Sequence, residues 1–309
     1  VWCPMQLASP TDLAVCHAIL ARGSKSFALA SRLLPARVRG PAASFYAFCR
    51  VADDLIDDGG DPQRGLHELS QRLDEIFSGR PRDDAVDRSL AAVVAAFELP
   101  RAPFDALLEG FAWDCAGRRC DTFADVIAYG ARVAGTVGVV MTMLMGERDP
   151  RVLARACDLG VAMQLSNIAR DVGEDARNGR LYLPLAWLEH AKIAPSELRT
   201  SAGPAVREIV AELLGEADRL YTRADRGIAM LPRDCRVAIR AARLIYSDLH
   251  RSIARAGFDT VTQRAFVSKP RKIWLLLRAG TSLVSLSRAP GELEPPPLEE
   301  ARFLLEAPR

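Results

Sequence analysis

Four carboxylates fall within positions 53–58, at Asp53, Asp54, Asp57 and Asp58, directly after the largely apolar stretch ASFYAFCRVA. Like charges four apart on one helix repel and cost stability, so acids kept beside core-type residues raise the question of which cation they hold. Asp53 and Asp57 project from one face about one turn from each other. Arg50 precedes Asp53 by three positions, and Tyr46 lies on the same side a further turn back. Taken alone, this cluster supports two readings: a cation site, or a solvated acidic face before the turn at Gly59 and Gly60.

The stretch VAMQLSNIARDVGEDARNGRLYLP (161–184) tips the balance toward a cation. Gln164, Asn167, Asp171 and Asp175 recur at spacings of three, four and four, which lines two amides and two carboxylates along one helical stripe. Met163, Leu165, Ile168 and Val172 lie between them. Polar groups beside a buried face are costly unless something binds them. Two such carboxylate pairs suit Mg²⁺, a hard cation that takes one or two carboxylates and completes its octahedron with water and phosphate oxygens. No EF-hand spacing, GxxxxGK[ST] loop or GxGxxG fingerprint occurs, so phosphate would be held by metal and basic side chains. The inferred ligand is a diphosphate.

A third stretch, YGARVAGTVGVVMTMLMG (129–146), mixes Ala134, Gly135, Thr136 and Gly138 with Val133, Val137, Val140, Met141 and Leu144. Glycine inside a helix costs roughly 1 kcal/mol against alanine. Two readings stay open here: close helix packing, or the wall of an apolar tunnel suited to a hydrocarbon on the diphosphate.

The elements that must position these groups are helical. Nearly every segment between prolines and glycines carries helical periodicity, and alternating β-type stretches are absent. The chain is read as all-α, with helices at 11–21, 25–34, 41–58, 62–78, 84–97, 102–117, 121–146, 150–177, 184–191, 204–230, 233–256 and 270–287. No linker or repeat interrupts 11–287, which is read as one domain after a short extension at 1–10. The Pro-rich acidic tail, 288–309, is expected to extend loosely from the fold.

Composition narrows the chemistry. With 309 residues, 49% hydrophobic, the chain is long enough to bury a large core. A net charge of +2 provides no field for nucleic acid. Seven cysteines without a CxxC pair read as buried thiols in a reducing compartment. Four scattered histidines give a His-based metal centre or a Ser-His-Asp triad little to work with. The first ten residues lack the features of a signal peptide. The longest apolar run, 134–146, is shorter than a membrane span needs. A cytoplasmic protein is expected.

At GSKSF (23–27), SFYAFCRVADDLID (44–57), YGARVAGTVG (129–138) and QLSNIARDVGEDARNGRLYLP (164–184), the chain resembles the squalene and phytoene synthase family, most closely its bacterial phytoene synthases. The similarity covers roughly 11–287, and LEGFAWD (108–114) adds to it. The resemblance implies an all-α isoprenoid synthase fold with a central cavity, a prenyltransferase that joins two prenyl diphosphates head to head with Mg²⁺, or Mn²⁺ in its place. By the family pattern, Asp53 and Asp57 match the first aspartate motif, and Asp171 and Asp175 the second. Asn167 joins these acids at the metals, and Arg50, Arg170 and Gln164 lie around the diphosphates. Ser24, Ser26 and Phe27 match a segment closing over the cavity mouth. Tyr46, Tyr129, Tyr182 and Tyr246 match aromatic or hydroxyl groups near the reacting carbons. Lys269, Arg271 and Lys272 fall where the family places a basic diphosphate-contacting segment, although Pro270 interrupts the basic run.

The implied product is phytoene, from geranylgeranyl diphosphate and without NADPH. The implied rivals are a farnesyl diphosphate enzyme making squalene, dehydrosqualene or hydroxysqualene, and a non-catalytic assembly factor of the same fold. The intact aspartate pairs speak against the latter. KPRKIWLLLRAG (269–280) combines basic residues with Ile273, Trp274 and a leucine triplet, the composition of an interfacial helix at a membrane surface or of an ordinary core helix.

Overall fold

Caps and prolines fix where the helices start. Ser9 accepts from the Asp12 amide to open α1 (Pro10–Gly23), and Asp61 accepts from Gln63 and Arg64 to open α4 (Pro62–Phe77). Asp84 opens α5 (Ala85–Phe97), a reciprocal Thr122–Asp125 box opens α7 (Phe123–Gly130), and Asp149 opens α9 (Pro150–Arg177). The structure, a computed structural model, describes residues 8–57, 60–281 and 295–305, the side chains of Asp57 and Thr281 apart. Among the described residues every regular element is helical, as the periodicity predicts. The expectation of no signal sequence concerns residues that lie mostly outside the described ones.

The centre of the bundle is α9. It packs against α11 (Pro204–Met230), α8 (Thr136–Leu144), α12 (Arg233–Arg255) and α7. Val161, Leu165, Val210 and Leu213 are fully buried there, each worth about 1.5–3 kcal/mol of burial. Around α3 (Ala36–Asp57) gather α1, α4 and α5. Arg72 of α4 clasps the fully buried Asp87 of α5 at 2.6 Å, and Arg88 of α5 holds Asp12 of α1 at 2.6 Å. Ser166, His250 and Asp218 also line up in hydrogen-bonding order across α9, α12 and α11, at 2.8 and 2.9 Å. That chain ties three helices together and lies away from the cavity described below.

Three expectations change. The helix expected to begin at Pro41 begins at Ala36, with Pro41 inside it. Proline lacks the amide of an interior helical residue, but Arg37 pairs with Asp234 of α12 at 2.7 Å and pins the extra turn. The helix expected over 121–146 is broken into α7, a π-helical turn (Ala131–Gly135) and α8. Here α9 approaches backbone to backbone: a Cβ on Gly160 would sit 2.2 Å from the Ala134 carbonyl, and one on Gly138 would sit 2.2 Å from that of Ala156. Finally, the tail returns to the body over 295–305. Ala301 and Leu304 are buried in a 3₁₀ turn (Glu299–Leu304), and Phe303 lies over Arg132 of the π turn, 4.9 Å from guanidinium to ring centre.

The span Phe123–Leu144 is long and apolar enough to cross a membrane, but 67% of its most apolar 18-residue stretch is buried inside the protein. It serves here as a core element.

Candidate active site

One cavity of about 1180 Å³ runs through the bundle, and nearly all of the predicted site residues line it. Helix α3 contributes Tyr46, Arg50 and Asp53, and α9 contributes Gln164, Asn167, Arg170, Asp171 and Asp175. Ser24, Ser26 and Phe27 come from the start of α2 (Lys25–Ser31), Tyr129 from α7 and Tyr246 from α12, while Tyr182 comes from the irregular link after α9. The Asp57 side chain lies outside the described residues.

On α9 the acids are crowded. Burial and the neighbouring Asp171 charge push Asp175 up to about 7. Asp171 is held by Arg170, Nε to Oδ1 2.8 Å, and by Arg264, Nε to Oδ1 3.0 Å. Arg264 also reaches Glu174 at 3.0 Å. It belongs to the loop between α12 and α13 (Lys269–Thr281), which crosses α9 at Gly173. There the Gly173 amide donates to the Thr260 carbonyl at 3.2 Å, and a Cβ would sit 2.2 Å from the Val261 carbonyl. Glycine at the centre of the DVGED run therefore admits the loop that brings Arg264 to Asp171.

These residues fit a divalent cation. Hard oxygen donors line the cavity, Asp175 is half-buried beside a like charge, and guanidiniums offset Asp171. Among the described residues, no three His, Cys, Asp or Glu groups converge into a ready-made centre. Asp53, Asp171 and Asp175, with the Asn167 amide, would hold cations jointly with an anionic ligand.

The cations on the walls extend beyond those the sequence suggested. Arg22, Lys25, Arg180 and Arg264 line the cavity together with Lys272. Burial, and then the charge of Lys25, depress Lys272; both ammoniums line the same cavity, as an anion site requires. By contrast Lys269 is exposed, and Arg271 turns to Asp248 at 2.6 Å; neither lines the cavity. The signals for Lys25 and Arg180 sat unread inside GSKSF and NGRLYLP. Arg264 has no local signal, because only the loop crossing at Gly173 brings it in.

Ser24 accepts from the Phe27 amide at 3.2 Å and so caps α2, while Phe27 stacks on Tyr46 with ring centres 5.3 Å apart. Gly23 permits this packing: a Cβ there would meet the Tyr46 hydroxyl at 2.6 Å.

Asp114, the last residue of LEGFAWD on α6 (Ala102–Cys115), also lines the cavity. Its two oxygens accept from the hydroxyls of Tyr129, at 2.9 Å, and Tyr182, at 2.7 Å, whose rings stack 4.9 Å apart. Burial, followed by the Asp114 charge, pushes both phenols well above their ordinary range. Both therefore stay protonated, with their hydrogens committed to Asp114 and their rings on the cavity wall.

Away from the acids the walls become apolar: Phe45, Val137, Met141, Leu159 and Ile228 line that region. The polar and apolar ends sort the same way on each helix. On α3 the lining runs from Ala42 to Asp53, and on α9 from Val152 to Asp175.

Residues 20–271 match the squalene/phytoene synthase family model. The phytoene synthase of Rhodobacter capsulatus is 50% identical over 90% of this chain and 84% of its own length. That of Cereibacter sphaeroides is 48% identical over 96% and 87%. A crystal structure of a dehydrosqualene synthase in complex with ligand superposes with a TM-score of 0.83 at 34% identity, covering 89% of this chain and 97% of the other. Its fold is the all-α isoprenoid synthase architecture that the aspartate motifs imply, and the chain belongs to the squalene and phytoene synthase family.

Proposed function

We propose that the protein is a phytoene synthase: it condenses two geranylgeranyl diphosphates head to head through prephytoene diphosphate, using Mg²⁺ or Mn²⁺ and no reductant. The observation that carries this reading is one continuous cavity whose acid- and cation-lined end passes into a long apolar end. Such a cavity suits a diphosphate joined to a hydrocarbon. Bound divalent cations would neutralise the charge that develops on the departing diphosphate. Asp53, Asp57, Asp171 and Asp175 would hold those cations, and Lys25, Lys272, Arg50, Arg180 and Arg264 would flank the same leaving group.

Loss of diphosphate leaves an allylic cation, which the double bond of the second substrate attacks to form the cyclopropyl intermediate. A second ionisation, rearrangement and proton loss give the conjugated product. The ring faces of Tyr129 and Tyr182 stabilise cations, and Asp114 behind them adds a fixed negative charge. Apolar walls keep water from quenching the intermediates.

The α13 face suggests where substrate enters. Leu275 and Ala279 face the core, whereas Ile273, Trp274 and Leu277 are exposed, beside Phe266 at 76% exposure on the cavity rim. Arg271 and Arg278 lie over the Trp274 ring at 4.2 and 5.5 Å. An apolar face rimmed by cations suits peripheral contact with an anionic membrane holding the prenyl substrates and the product.

Incubation with geranylgeranyl or farnesyl diphosphate, after chelation and again with Mg²⁺ restored, tests the reading. A forty-carbon product only with metal supports it, and a thirty-carbon product made in preference moves the protein to the other branch.

A further inference from the structure

Behind the two tyrosines of the cavity wall stands a column of rings and guanidiniums that ends on the carboxy-terminal segment. Tyr129 stacks on Tyr182, ring centres 4.9 Å apart and planes 20° apart, and on Trp113 of α6, at 6.4 Å and 23°. The guanidiniums of Arg118 and Arg132 lie over the Trp113 ring, at 3.6 and 4.4 Å. Arg132 lies over the Phe303 ring as well, at 4.9 Å. Tyr129 and Tyr182 line the cavity, whereas Trp113, Arg132 and Phe303 do not.

The column is braced from outside. The π turn puts Val133 and Ala134 on the cavity wall and Arg132 behind it, where Arg132 donates to the Ala128 carbonyl at 3.1 Å and pairs with Glu109 at 2.9 Å. The 3₁₀ turn Glu299–Leu304 packs on α6, α7 and the π turn, the elements that carry Asp114, Tyr129 and Arg132. Upstream, the Pro296 carbonyl accepts from Arg155 at 3.3 Å and from Arg223 at 2.7 Å, which fastens the same segment to α9 and α11. Asp114 fixes where the two tyrosine hydroxyls sit, but a ring is still able to tilt about the axis from its backbone to its hydroxyl. That tilt is set by what lies against the ring faces, and it decides how the negative face of the ring meets a cation in the cavity.

We propose that Phe303, acting through Arg132 and Trp113, is a positioning residue that holds the Tyr129–Tyr182 pair at its working tilt. The segment 295–305 is thereby part of the active-site wall although it touches no substrate. The inference deepens the proposed function and rests on it for the effect on turnover; the ring orientation is read without any reaction.

The test uses the full chain labelled with 3-fluorotyrosine, its five tyrosines read by fluorine NMR and assigned with single Tyr→Phe variants. Phe303 is 37% exposed, so Phe303→Ala is expected to fold and to melt close to wild type. Its Tyr129 and Tyr182 resonances are expected to shift or broaden while those of Tyr46, Tyr221 and Tyr246 stay in place. With geranylgeranyl diphosphate and Mg²⁺, kcat should fall about two- to fivefold at unchanged KM, the factor by which one part-exposed cation–π contact shifts a population. Phe303→Tyr restores turnover; Phe303→Leu, apolar but without a ring, does not. Trp113→Leu removes the middle of the column and gives the same pattern more strongly, about tenfold in kcat. Unmoved Tyr129 and Tyr182 resonances in Phe303→Ala, an unchanged kcat, or a loss that leucine repairs as well as tyrosine overturns the proposal. Moved resonances in a protein whose wild type forms no phytoene overturn the reaction assignment and leave the control of ring orientation in place.

Discussion

Arg264 Nε lies 3.0 Å from Asp171 Oδ1, and the contact exists because Gly173, two residues further along α9, lets the 256–268 loop cross. The acid proposed above as a cation ligand is thus covered by a guanidinium. Asp175, one turn on, is pushed up to about 7 by burial and by Asp171, so its charge is a cost to the fold that a cation held there, as proposed, would remove.

That separates acids that bind from acids that build. Asp175→Asn is expected to lose turnover while the protein melts, in the presence of a chelator, no lower than wild type, because the substitution removes a half-buried, repelled charge. Asp87→Ala strands Arg72, which it otherwise holds at 2.6 Å, and should cost about 3 kcal/mol. Thermal melts and single-point activity on both variants check the contrast. A large melting loss in Asp175→Asn would assign that residue to the scaffold.

The Asp12–Arg88 clasp carries a pH signature. Hydrogen bonds from Arg88 hold the Asp12 carboxyl below its ordinary 3.8. A depressed folded pKa contributes stability above the unfolded value and loses it as pH falls through the folded value. The melting gap between wild type and Asp12→Asn should therefore be constant at neutral pH and close below pH 3.8. A gap still open at about pH 2 would contradict the assignment.

Asp114 should matter to chemistry more than to binding. Asp114→Asn keeps the shape and one accepting oxygen but turns the other into an amide donor, so one of the Tyr129 and Tyr182 hydroxyls loses its acceptor and the stacked pair loses its fixed orientation. Turnover is expected to fall about a hundredfold, the scale of one preorganised electrostatic group, with the KM for substrate little changed. Steady-state kinetics settle it; an effect confined to KM would make Asp114 a binding group only.

The apolar face of α13 is tested by flotation with anionic vesicles at low salt. Trp274→Glu and Leu277→Glu should abolish co-flotation and leave turnover of detergent-dispersed substrate intact. Equal flotation of wild type and variants would remove the membrane face.

Much of the site was legible because it is carried by helical spacing. The run Gln164, Asn167, Asp171 and Asp175 shares one stripe of α9, and Asp53 shares a stripe of α3 with Arg50 and Tyr46; all of them line the cavity. What stayed hidden depends on tertiary crossing. Arg264 arrives through a loop, and Asp114 becomes meaningful only where α6, α7 and the RLYLP link meet. The reverse error has the same origin: Arg271 sits in the expected basic run, but α13 is rotated so that Arg271 faces Asp248 and Lys272 faces the cavity. The tail was misread because its prolines suggest extension, whereas Ala301, Phe303 and Leu304 give it three apolar anchors that periodicity over so short a segment does not reveal.

The most direct test of the central claim is product formation from geranylgeranyl diphosphate and Mg²⁺ with and without NADPH, alongside the same pair of reactions with farnesyl diphosphate. A final proton loss leaves a central double bond and needs no hydride. The account therefore predicts a forty-carbon hydrocarbon with a conjugated triene at the same rate in both geranylgeranyl reactions. A saturated central bond that appears only with NADPH, or a clear preference for farnesyl diphosphate, would contradict it.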